Sequence, residues 1–379
     1  MSKIRVLCIE NIAVEAAHRQ IYRHLASQDD LDVHLLAPER WREAQSLVEC
    51  EPERDSPLHV HQSKILFGFR QHRVLYRSLG KILTSLKPDF IFLDQEPENF
   101  AAIQGILFKR NYAPHAALAL VSSRNIDHVK LGFPYQAEFI HRKCDEFVLR
   151  HPVDVCFVRT QAAEPLMRKY AKRIVHLPFP IDTTRLKRPD ARREAQNQLT
   201  VGYVGRLVEQ KGVRMLLELF PQLPEKINMM FVGKGPMRDE LMQQAMKSTG
   251  RLRVLPPVPH KELAGVFSQM DVVVVPSLDT KLWKEQCPRV PMEAMACEVP
   301  VIGSDSGGIP EVLGDAGMII QQADAIALRD AVDRVLREPA LRESLARKGR
   351  QRVLDHFQVS VVASRMADVI RQTIQQKKD

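Results

Sequence analysis

The stretch Glu285–Val312 reads EQCPRVPMEAMACEVPVIGSDSGGIPEV. It places Glu285 and Glu293 eight residues apart, then continues with an apolar helical segment, a short apolar strand and a paired-glycine turn. Pro291 suits the first position of a helix, so Glu293 is expected in the first turn, where free N–H groups favour anions. Both carboxylates can then accept hydrogen bonds from sugar hydroxyls, while the glycines let the backbone approach a ligand. The alternative is a helix-start carboxylate and a solvated loop residue.

Short apolar runs like the one in this stretch alternate with helical segments throughout the chain. Those of the first half are IRVLCIE, DVHLLAP, DFIFLD, AALALV, DVCFV and RIVHLP. Those of the second half are LTVGYVG, INMMFVG, RLRVLPPV, DVVVVPS, VPVIGS and AGMII. Nearly continuous apolar runs are typical of strands buried on both faces of a parallel sheet. The pattern therefore predicts a doubly wound α/β fold.

The length of 379 residues favours two domains. Residues 179–198 are polar, charged and without apolar periodicity, so they are interpreted as a linker. We predict Rossmann-like domains over residues 1–180 and 199–355, and a C-terminal helix over 356–379. Two such domains form a cleft between the carboxyl ends of their strands, where ligands of these sheets bind.

The charge and apolar content exclude several classes of protein. The net charge of +9 indicates an anionic partner. No helix-turn-helix, RNP or zinc pattern is present, so nucleic acid is not expected. No signal-peptide core and no apolar run of about 20 residues occurs, which predicts a cytoplasmic protein. We recognise no cluster of carboxylates with histidine and therefore expect no metal and no cofactor.

The segment VGRLVEQKGV carries two cations at a strand end. The strand ends at Gly205, Arg206 follows, and Lys211 precedes the next helix. Two cations placed there can neutralise a pyrophosphate without a metal. The alternative is a basic helix N-terminus with a turn glycine.

A second glycine turn occurs in FVGKGPMRDEL. Gly233 and Gly235 close a strand and allow a tight turn before a helix, either to approach a nucleotide or for structural reasons alone. The segment matches neither the P-loop nor the dinucleotide GxGxxG pattern.

Residues 56–88 contain lysines, arginines and histidines but no Asp or Glu. Leu75, Leu79, Ile82, Leu83 and Leu86 follow helical spacing, with cations on another face. This pattern predicts a basic amphipathic helix, with residues 64–87 in peripheral contact with an anionic membrane at its inner surface or with an anionic acceptor. The alternative is a helix packed on the sheet with a solvated basic face.

In residues 199–317 the chain resembles the retaining glycosyltransferases of family 4, which have the GT-B fold. The motifs that carry the resemblance are VGRLVEQKG, VGKGPMR, DVVVVPS and the Glu-x7-Glu pattern with EAMACEVPVIGSDSGGIPEV. The first half is similar more loosely, through LKPDFIFLDQEP, RNI and LPFPID. The resemblance implies two Rossmann-like domains facing across a cleft and a C-terminal helix that crosses back to the first domain.

The same resemblance implies a hexosyltransferase-type enzyme (EC 2.4) of glycan biosynthesis. It would move a sugar, with retention and without a metal, from a UDP- or GDP-linked donor to a hydroxyl of a glycan, lipid or small metabolite. Arg206 and Lys211 would bind the donor diphosphate, Glu293 the ribose hydroxyls and Glu285 the transferred sugar. The remaining donor-side positions are Gly205, Gly233, Gly235 and Val290.

The chain departs from the family pattern in both halves. Gln286-Cys287-Pro288 stands where many members have Gly-Phe-Gly, and proline offers no N–H to a sugar. In the first domain SSRNID contains no histidine. We place Glu96, Arg124 and Asn125 on the acceptor side and count Asn125 among the catalytic candidates with Arg206, Lys211 and Glu285. His115 or His128 could stand in for the missing histidine.

Two rival functions remain open at this stage. A glycoside hydrolase also uses paired carboxylates, but it does not need cations aimed at a diphosphate. A non-catalytic nucleotide-binding protein would bind a nucleotide without transferring sugar. Nucleotide binding distinguishes a transferase from the hydrolase. Release of sugar from the donor distinguishes a transferase from the non-catalytic nucleotide-binding protein.

Overall fold

The computed structural model describes residues 3–43, 46–67, 69, 73–127, 139–188 and 198–378. The chain divides into two compact units. The first comprises Met1–Pro180 with Val359–Asp379, and the second comprises Ile181–Gln358.

The first unit is built on a parallel sheet of seven strands. The strands of the whole unit, including four outside this sheet, are β1 Ile4–Ile9, β2 Leu31–Pro38, β3 Arg40–Glu43, β4 Ser46–Glu49, β5 His59–Ser63, β6 Ile65–Leu66, β7 Leu75–Tyr76, β8 Phe90–Leu93, β9 Ala117–Ser122, β10 Val153–Val158 and β11 Ala171–His176. The helices are α1 Gln20–Ala26, α2 Leu79–Leu86, α3 Phe100–Tyr112, α4 Phe139–Leu149 and α5 Glu164–Met167. The sheet order is β11-β10-β9-β8-β1-β2-β5, while β3–β4 and β6–β7 form separate antiparallel pairs.

The second unit repeats this architecture with six strands. They are β12 Leu199–Val204, β13 Ile227–Val232, β14 Leu252–Leu255, β15 Val272–Val275, β16 Val301–Ser304 and β17 Met318–Ile320. The helices are α6 Val213–Leu219, α7 Arg238–Lys247, α8 Leu263–Phe267, α9 Arg289–Ala296, α10 Ile309–Leu313, α11 Ala325–Arg337 and α12 Pro339–His356. The order β14-β13-β12-β15-β16-β17 reverses direction between β12 and β15. Ligands of such sheets bind outside the carboxyl ends at this reversal.

The last helix, α13 Val359–Lys378, belongs to the first unit. Its apolar face is buried, and it shares one hydrophobic core with α1 and the strands β1, β2 and β8. Arg371 reinforces the contact by an ion pair with Asp30, at 2.8 Å. Lys377 Nζ donates a hydrogen bond of 2.9 Å to the carbonyl of Ala116. The helix is therefore held by both apolar and polar contacts.

The doubly wound α/β prediction is confirmed, because every apolar run quoted above contains a strand. The sequence analysis missed β5, which lies at the sheet edge and pairs with β2. Its sequence HVHQS is half polar, since an edge strand does not need to be apolar throughout.

The amphipathic helix predicted from the leucine spacing is wrong at its start. Leu75 lies in β7, and the helix begins only at Leu79. The apolar residues upstream of Leu79 pair in a short hairpin of β6 and β7. Residues 68 and 70–72 of this stretch, with Arg70, lie outside the described ranges. None of the helices in the described ranges is both long and apolar enough to cross a membrane.

The structure also differs from the expected linker, residues 179–198, at the start of that segment. Arg350 of α12 donates to the carbonyls of Thr183 and Leu186, at 3.2 and 2.9 Å. The backbone N–H of Ile181 donates to the carbonyl of Phe357 at 2.7 Å. These bonds join the first residues of the predicted linker to the second unit, and residues 189–197 lie outside the described ranges.

Candidate active site

An ion pair between Lys211 and Glu285 lies at the carboxyl edge of the second sheet. Lys211 Nζ contacts Glu285 Oε1, and the side chains are only 21% and 6% exposed. Ser277 Oγ donates to the same carboxylate oxygen at 2.8 Å. Lys211 Nζ also lies 4.9 Å from the centre of the Trp283 ring. A buried carboxylate needs such partners, and they fix the lysine in return.

Backbone contacts hold the loops that carry this pair. The N–H of Leu278 donates to the carbonyl of Gln210 at 2.9 Å, which joins the loops after β15 and β12. The N–H of Gly308 donates to the carbonyl of Glu285 at 3.0 Å. A Cβ on Gly307, which has a φ of +48°, would lie 1.9 Å from that carbonyl oxygen. The paired glycines of the opening stretch thus position the backbone of Glu285.

The glycines after β13 allow its loop to touch the loop after β12. A Cβ on Gly233 would lie 1.8 Å from the carbonyl oxygen of Gly205. A Cβ on Gly235 would lie 2.2 Å from the carbonyl oxygen of Leu207, whose N–H donates to the Lys234 carbonyl at 2.9 Å. Both glycines are required by close backbone packing.

Arg206 is exposed at the end of β12. Its carbonyl accepts a hydrogen bond of 2.6 Å from the Tyr203 hydroxyl. Burial, reinforced by Glu285, raises the pKa of Tyr203, so this hydroxyl remains a neutral donor. Within the described residues the Arg206 guanidinium has no ion-pair partner, which leaves it accessible to an anion from solvent.

The helix that carries Glu293 begins earlier than expected. Helix α9 starts at Arg289, so Pro291 is its third residue and Glu293 its fifth, beyond the first turn. The prediction that Glu293 lies in the first turn, where free N–H groups stabilise a negative charge, is therefore wrong. Instead, Glu293 Oε1 lies 3.4 Å from His260 Nε2 and 3.6 Å from Arg289 Nε. The carboxylate is 7% exposed, and the Arg289 guanidinium supplies a positive charge beside it.

Val290 and Pro288 lie at the start of the same helix. Val290 is its second residue, so its N–H has no acceptor within the helix. Pro288 occupies the N-cap in extended conformation. Any N–H offered to a ligand here belongs to the helix itself, because proline has none.

In the first unit, Glu96 lies beyond the end of β8 and contacts the end of the neighbouring strand β9. Its Oε2 accepts a hydrogen bond of 2.5 Å from the Ser122 hydroxyl, and its Oε1 accepts one of 2.7 Å from the Ser123 N–H. Burial and the nearby Glu98 carboxylate raise the pKa of Glu96 to about 7. Glu96 can therefore hold or release a proton near neutral pH.

Arg124 belongs to a buried polar network beside Glu96. Its guanidinium contacts the Glu98 carboxylate and lies 3.7 Å from Asp145 Oδ1. Although burial opposes its charge, the nearby carboxylates raise the pKa of Arg124. Tyr170 completes the network by donating to Asp145 at 2.6 Å. Arg124 thus has several partners within the fold, whereas Asn125 is half-buried after it.

Comparison with known proteins places residues 185–352 in one family, described as glycosyl transferases group 1. Residues 185–352 form a glycosyl transferases group 1 domain. The match includes every donor-side candidate, from Gly205 to Glu293. The resemblance to glycosyltransferases stated from the motifs is confirmed at the level of this group.

Relatives of this group 1 domain have several activities. A GDP-mannose-dependent alpha-(1-6)-phosphatidylinositol monomannoside mannosyltransferase of Mycolicibacterium smegmatis is 30% identical over 211 residues, which are 52% of this chain and 55% of that protein. A glycogen synthase of Mycobacterium tuberculosis is 31% identical over 186 residues, which are 47% of this chain and 44% of that protein. This chain thus spans about half the length of the curated relatives it matches.

Solved structures with the same fold cover nearly the whole chain. Sucrose-phosphate synthase from Thermosynechococcus elongatus aligns over 99% of this chain and 100% of that one, with a TM-score of 0.73 and 21% identity. Anabaena HepE in complex with UDP aligns over 97% and 100%, with a TM-score of 0.70 and 15% identity. The predicted GT-B fold is confirmed.

The group 1 domain brings Lys211 and Glu285 together, and Gly205 with Gly233, as separate contacts at one sheet edge. The sequence analysis assigned no role to Ser277, Trp283 or His260. Ser277 is the second residue after β15, and that position was the available signal. Roles of the site residues toward a substrate stay predictions.

One expectation about charged clusters is wrong. No cluster of carboxylates with histidine was expected from the sequence. In the structure, Asp32, His34 and His59 offer ligand atoms within 4.8 Å of one another. The signal was an Asp-x-His pair on one strand and a His-x-His pair on another, since alternate residues of a strand share a face.

The raised pKa of Glu96 predicts a pH-dependent stability. A carboxyl pKa higher in the folded than in the unfolded state stabilises the protein below about pH 4.5, and this contribution is lost as the pH rises through about 7. We expect Glu96→Gln to remove about 2 kcal/mol of the fall in unfolding free energy between pH 5 and 8, measured by urea denaturation. The exposed Glu49→Gln variant is the control. If Glu96→Gln and Glu49→Gln show the same pH slope, the raised pKa is contradicted.

Proposed function

We propose that this chain is a retaining glycosyltransferase that moves a sugar from a nucleoside-diphosphate donor to a hydroxyl acceptor without a metal. The observation that carries the proposal is the Lys211–Glu285 pair at the carboxyl edge of the group 1 domain, with Arg206 exposed beside it. A cation held in place and a second one open to solvent suit a diphosphate that gains charge as it leaves.

The contacts of Lys211 and Glu285 suggest a separate role for each residue. Glu285 and Trp283 hold Lys211 where it can meet the diphosphate. Glu285 would accept a hydrogen bond from a hydroxyl of the transferred sugar, in addition to the bond that its Oε1 accepts from Ser277. The protein would act by positioning the donor and stabilising charge, and the leaving phosphate would help deprotonate the acceptor.

The names of similar proteins support a nucleotide-linked donor. The M. smegmatis relative is named for GDP-mannose, and HepE has been solved with UDP, with UDP and glucose, and with UDP-glucose. The proposed donor therefore carries uridine or guanosine.

A thermal-shift screen with UDP, GDP, ADP and their sugars tests the proposal. A nucleotide at 100 times its dissociation constant adds about 2.7 kcal/mol of stability. Release of sugar from the stabilising donor must then accelerate with a hydroxyl acceptor. Stabilisation by no nucleotide would support a hydrolase, and binding without sugar release would support a non-catalytic nucleotide-binding protein.

Glu293 provides a residue-level test of donor binding. Its buried carboxylate lies beside His260, in the turn that follows β14, where a nucleoside would be held. Loss of a charged acceptor costs about 1.5–3 kcal/mol, so we expect Glu293→Ala to weaken free-nucleotide binding about 10- to 150-fold, measured by calorimetry. The exposed Glu225→Ala variant, just before β13, controls for general effects. Unchanged affinity in folded Glu293→Ala would remove this residue from the site.

The acceptor side of the proposal rests on the first unit. Glu96, with its pKa of about 7, would exchange a proton with an acceptor hydroxyl. Asn125 follows the end of β9, where Glu96 bonds to Ser122 and Ser123. The M. smegmatis relative is named for a phosphatidylinositol acceptor, which is a lipid. We therefore keep a peripheral contact between residues 64–87 and an anionic membrane as part of the proposal. Binding to vesicles that does not increase with their anionic lipid content would contradict this membrane contact.

A further inference from the structure

A cluster of histidines with one carboxylate lies at the edge of the first sheet. Asp32 and His34 are two residues apart on β2, and His59 and His61 are two residues apart on β5. The register places His34 opposite His59. Because alternate residues of a strand point to the same face, all four side chains share one face of the sheet.

Distances within the cluster fit a metal ion. His34 Nε2 lies 3.3 Å and His59 Nε2 lies 3.7 Å from Asp32 Oδ1. The three ligand atoms all lie within 4.8 Å of one another. Ligands about 2.1 Å from a tetrahedral zinc ion lie roughly 3.4 Å apart. The two spacings to Asp32 therefore match such an ion. The third spacing, between the two histidines, is at most 4.8 Å and would shorten by up to about 1.4 Å through movement of the exposed His59 ring.

A hydrogen bond orients the central ligand. His34 Nδ1 lies 2.9 Å from His61 Nε2, so a proton is shared there. Within the described residues His34 Nε2 has no hydrogen-bond partner, although Asp32 Oδ1 is close. A histidine that donates through Nδ1 presents its Nε2 lone pair to a metal, and such partners are the rule at metal sites.

The charges around the cluster do not oppose a cation. Arg5 lies opposite Asp32 in the register of β1 and β2. Its guanidinium instead donates to the carbonyl of Leu86 at 2.7 Å and lies 3.9 Å from Asp89. Asp32 therefore remains available to a metal.

We propose that Asp32, His34 and His59 bind one divalent transition-metal ion of the zinc type, with water in the fourth position. Nitrogen ligands select zinc and its neighbours over magnesium and calcium, which prefer oxygen alone. The site is built only from residues of the first unit, shares none with the group 1 domain, and goes beyond the proposed sugar transfer.

Calorimetric titration of the metal-free full-length protein with Zn²⁺ tests this proposal. We expect one Zn²⁺ per chain, no heat with Mg²⁺, and loss of the zinc site in His59→Ala. His59 suits this test, because its side chain is 60% exposed and its removal leaves the core intact. His61→Phe should weaken zinc binding about 10- to 100-fold, because the partner of His34 is lost.

His115→Ala is the matched control, since His115 is exposed in the same unit and is not part of the cluster. Co²⁺ as a second probe should give the visible absorption of a tetrahedral site in the wild type and in His115→Ala, and none in His59→Ala. Absence of stoichiometric Zn²⁺ binding would overturn the proposal. Equal zinc affinity of wild type and His59→Ala would overturn it as well.

Discussion

Arg206→Ala and Lys211→Ala are each expected to lower kcat about 10²–10³-fold, with a smaller change in KM. Removal of one preorganised donor to a developing negative charge typically has this cost. The loss falls on kcat because the charge on the leaving diphosphate grows mainly in the transition state. Initial rates over a range of donor concentrations, at saturating acceptor, measure both constants.

The two variants have different structural consequences, and this separates catalysis from folding. Lys211→Ala leaves the buried Glu285 without its cation, which destabilises the fold by about 3–5 kcal/mol. Arg206 is exposed, so its removal should leave the unfolding free energy nearly unchanged. Lys247→Ala, at the end of α7, controls for loss of a lysine. Near-normal kcat in Arg206→Ala would contradict the assignment.

Sugar transfer is also expected to survive EDTA, because the two cations take the place of a metal at the diphosphate. The zinc site proposed in the first unit does not alter this expectation, since it shares no residue with Arg206 and Lys211. Loss of transfer in EDTA that Mg²⁺ or Mn²⁺ restores would overturn the metal-independent mechanism.

Gly307→Ala is expected to destabilise the protein by about 2–4 kcal/mol and to reduce transfer. A left-handed φ of +48° strains alanine, and its Cβ would lie 1.9 Å from the Glu285 carbonyl oxygen. The loop must move, and Glu285 with Lys211 moves with it. Urea denaturation measures the first effect, and kcat the second.

Gly265→Ala is the matched control for this substitution. Gly265 is exposed in α8, and no atom lies within 4 Å of an added Cβ. Alanine there should stabilise the helix by about 0.5–1 kcal/mol and leave transfer unchanged. If Gly307→Ala is as stable and active as Gly265→Ala, Gly307 does not position Glu285.

Most strands of the two sheets could be predicted from the sequence, because the central ones are buried on both faces. A run such as VVVV in β15 has to be apolar at every position, and no other local structure explains it as well. The edge strand β5 was missed, because its outer residues face solvent and include histidines. The start of α9 was misplaced by two residues, since proline fits the third helical position as well as the first.

The sequence by itself determined the fold class, the family and the loops in which the site lies, because apolar periodicity and short motifs are local properties of the chain. Only the tertiary structure decided which side chains meet. Lys211 and Glu285 are 74 residues apart in sequence, and their contact depends on β12 and β15 being neighbours in the sheet. The histidine cluster likewise depends on the pairing of β2 with β5. Such contacts follow from strand order and register, which arise when the whole core packs and which no short segment encodes alone.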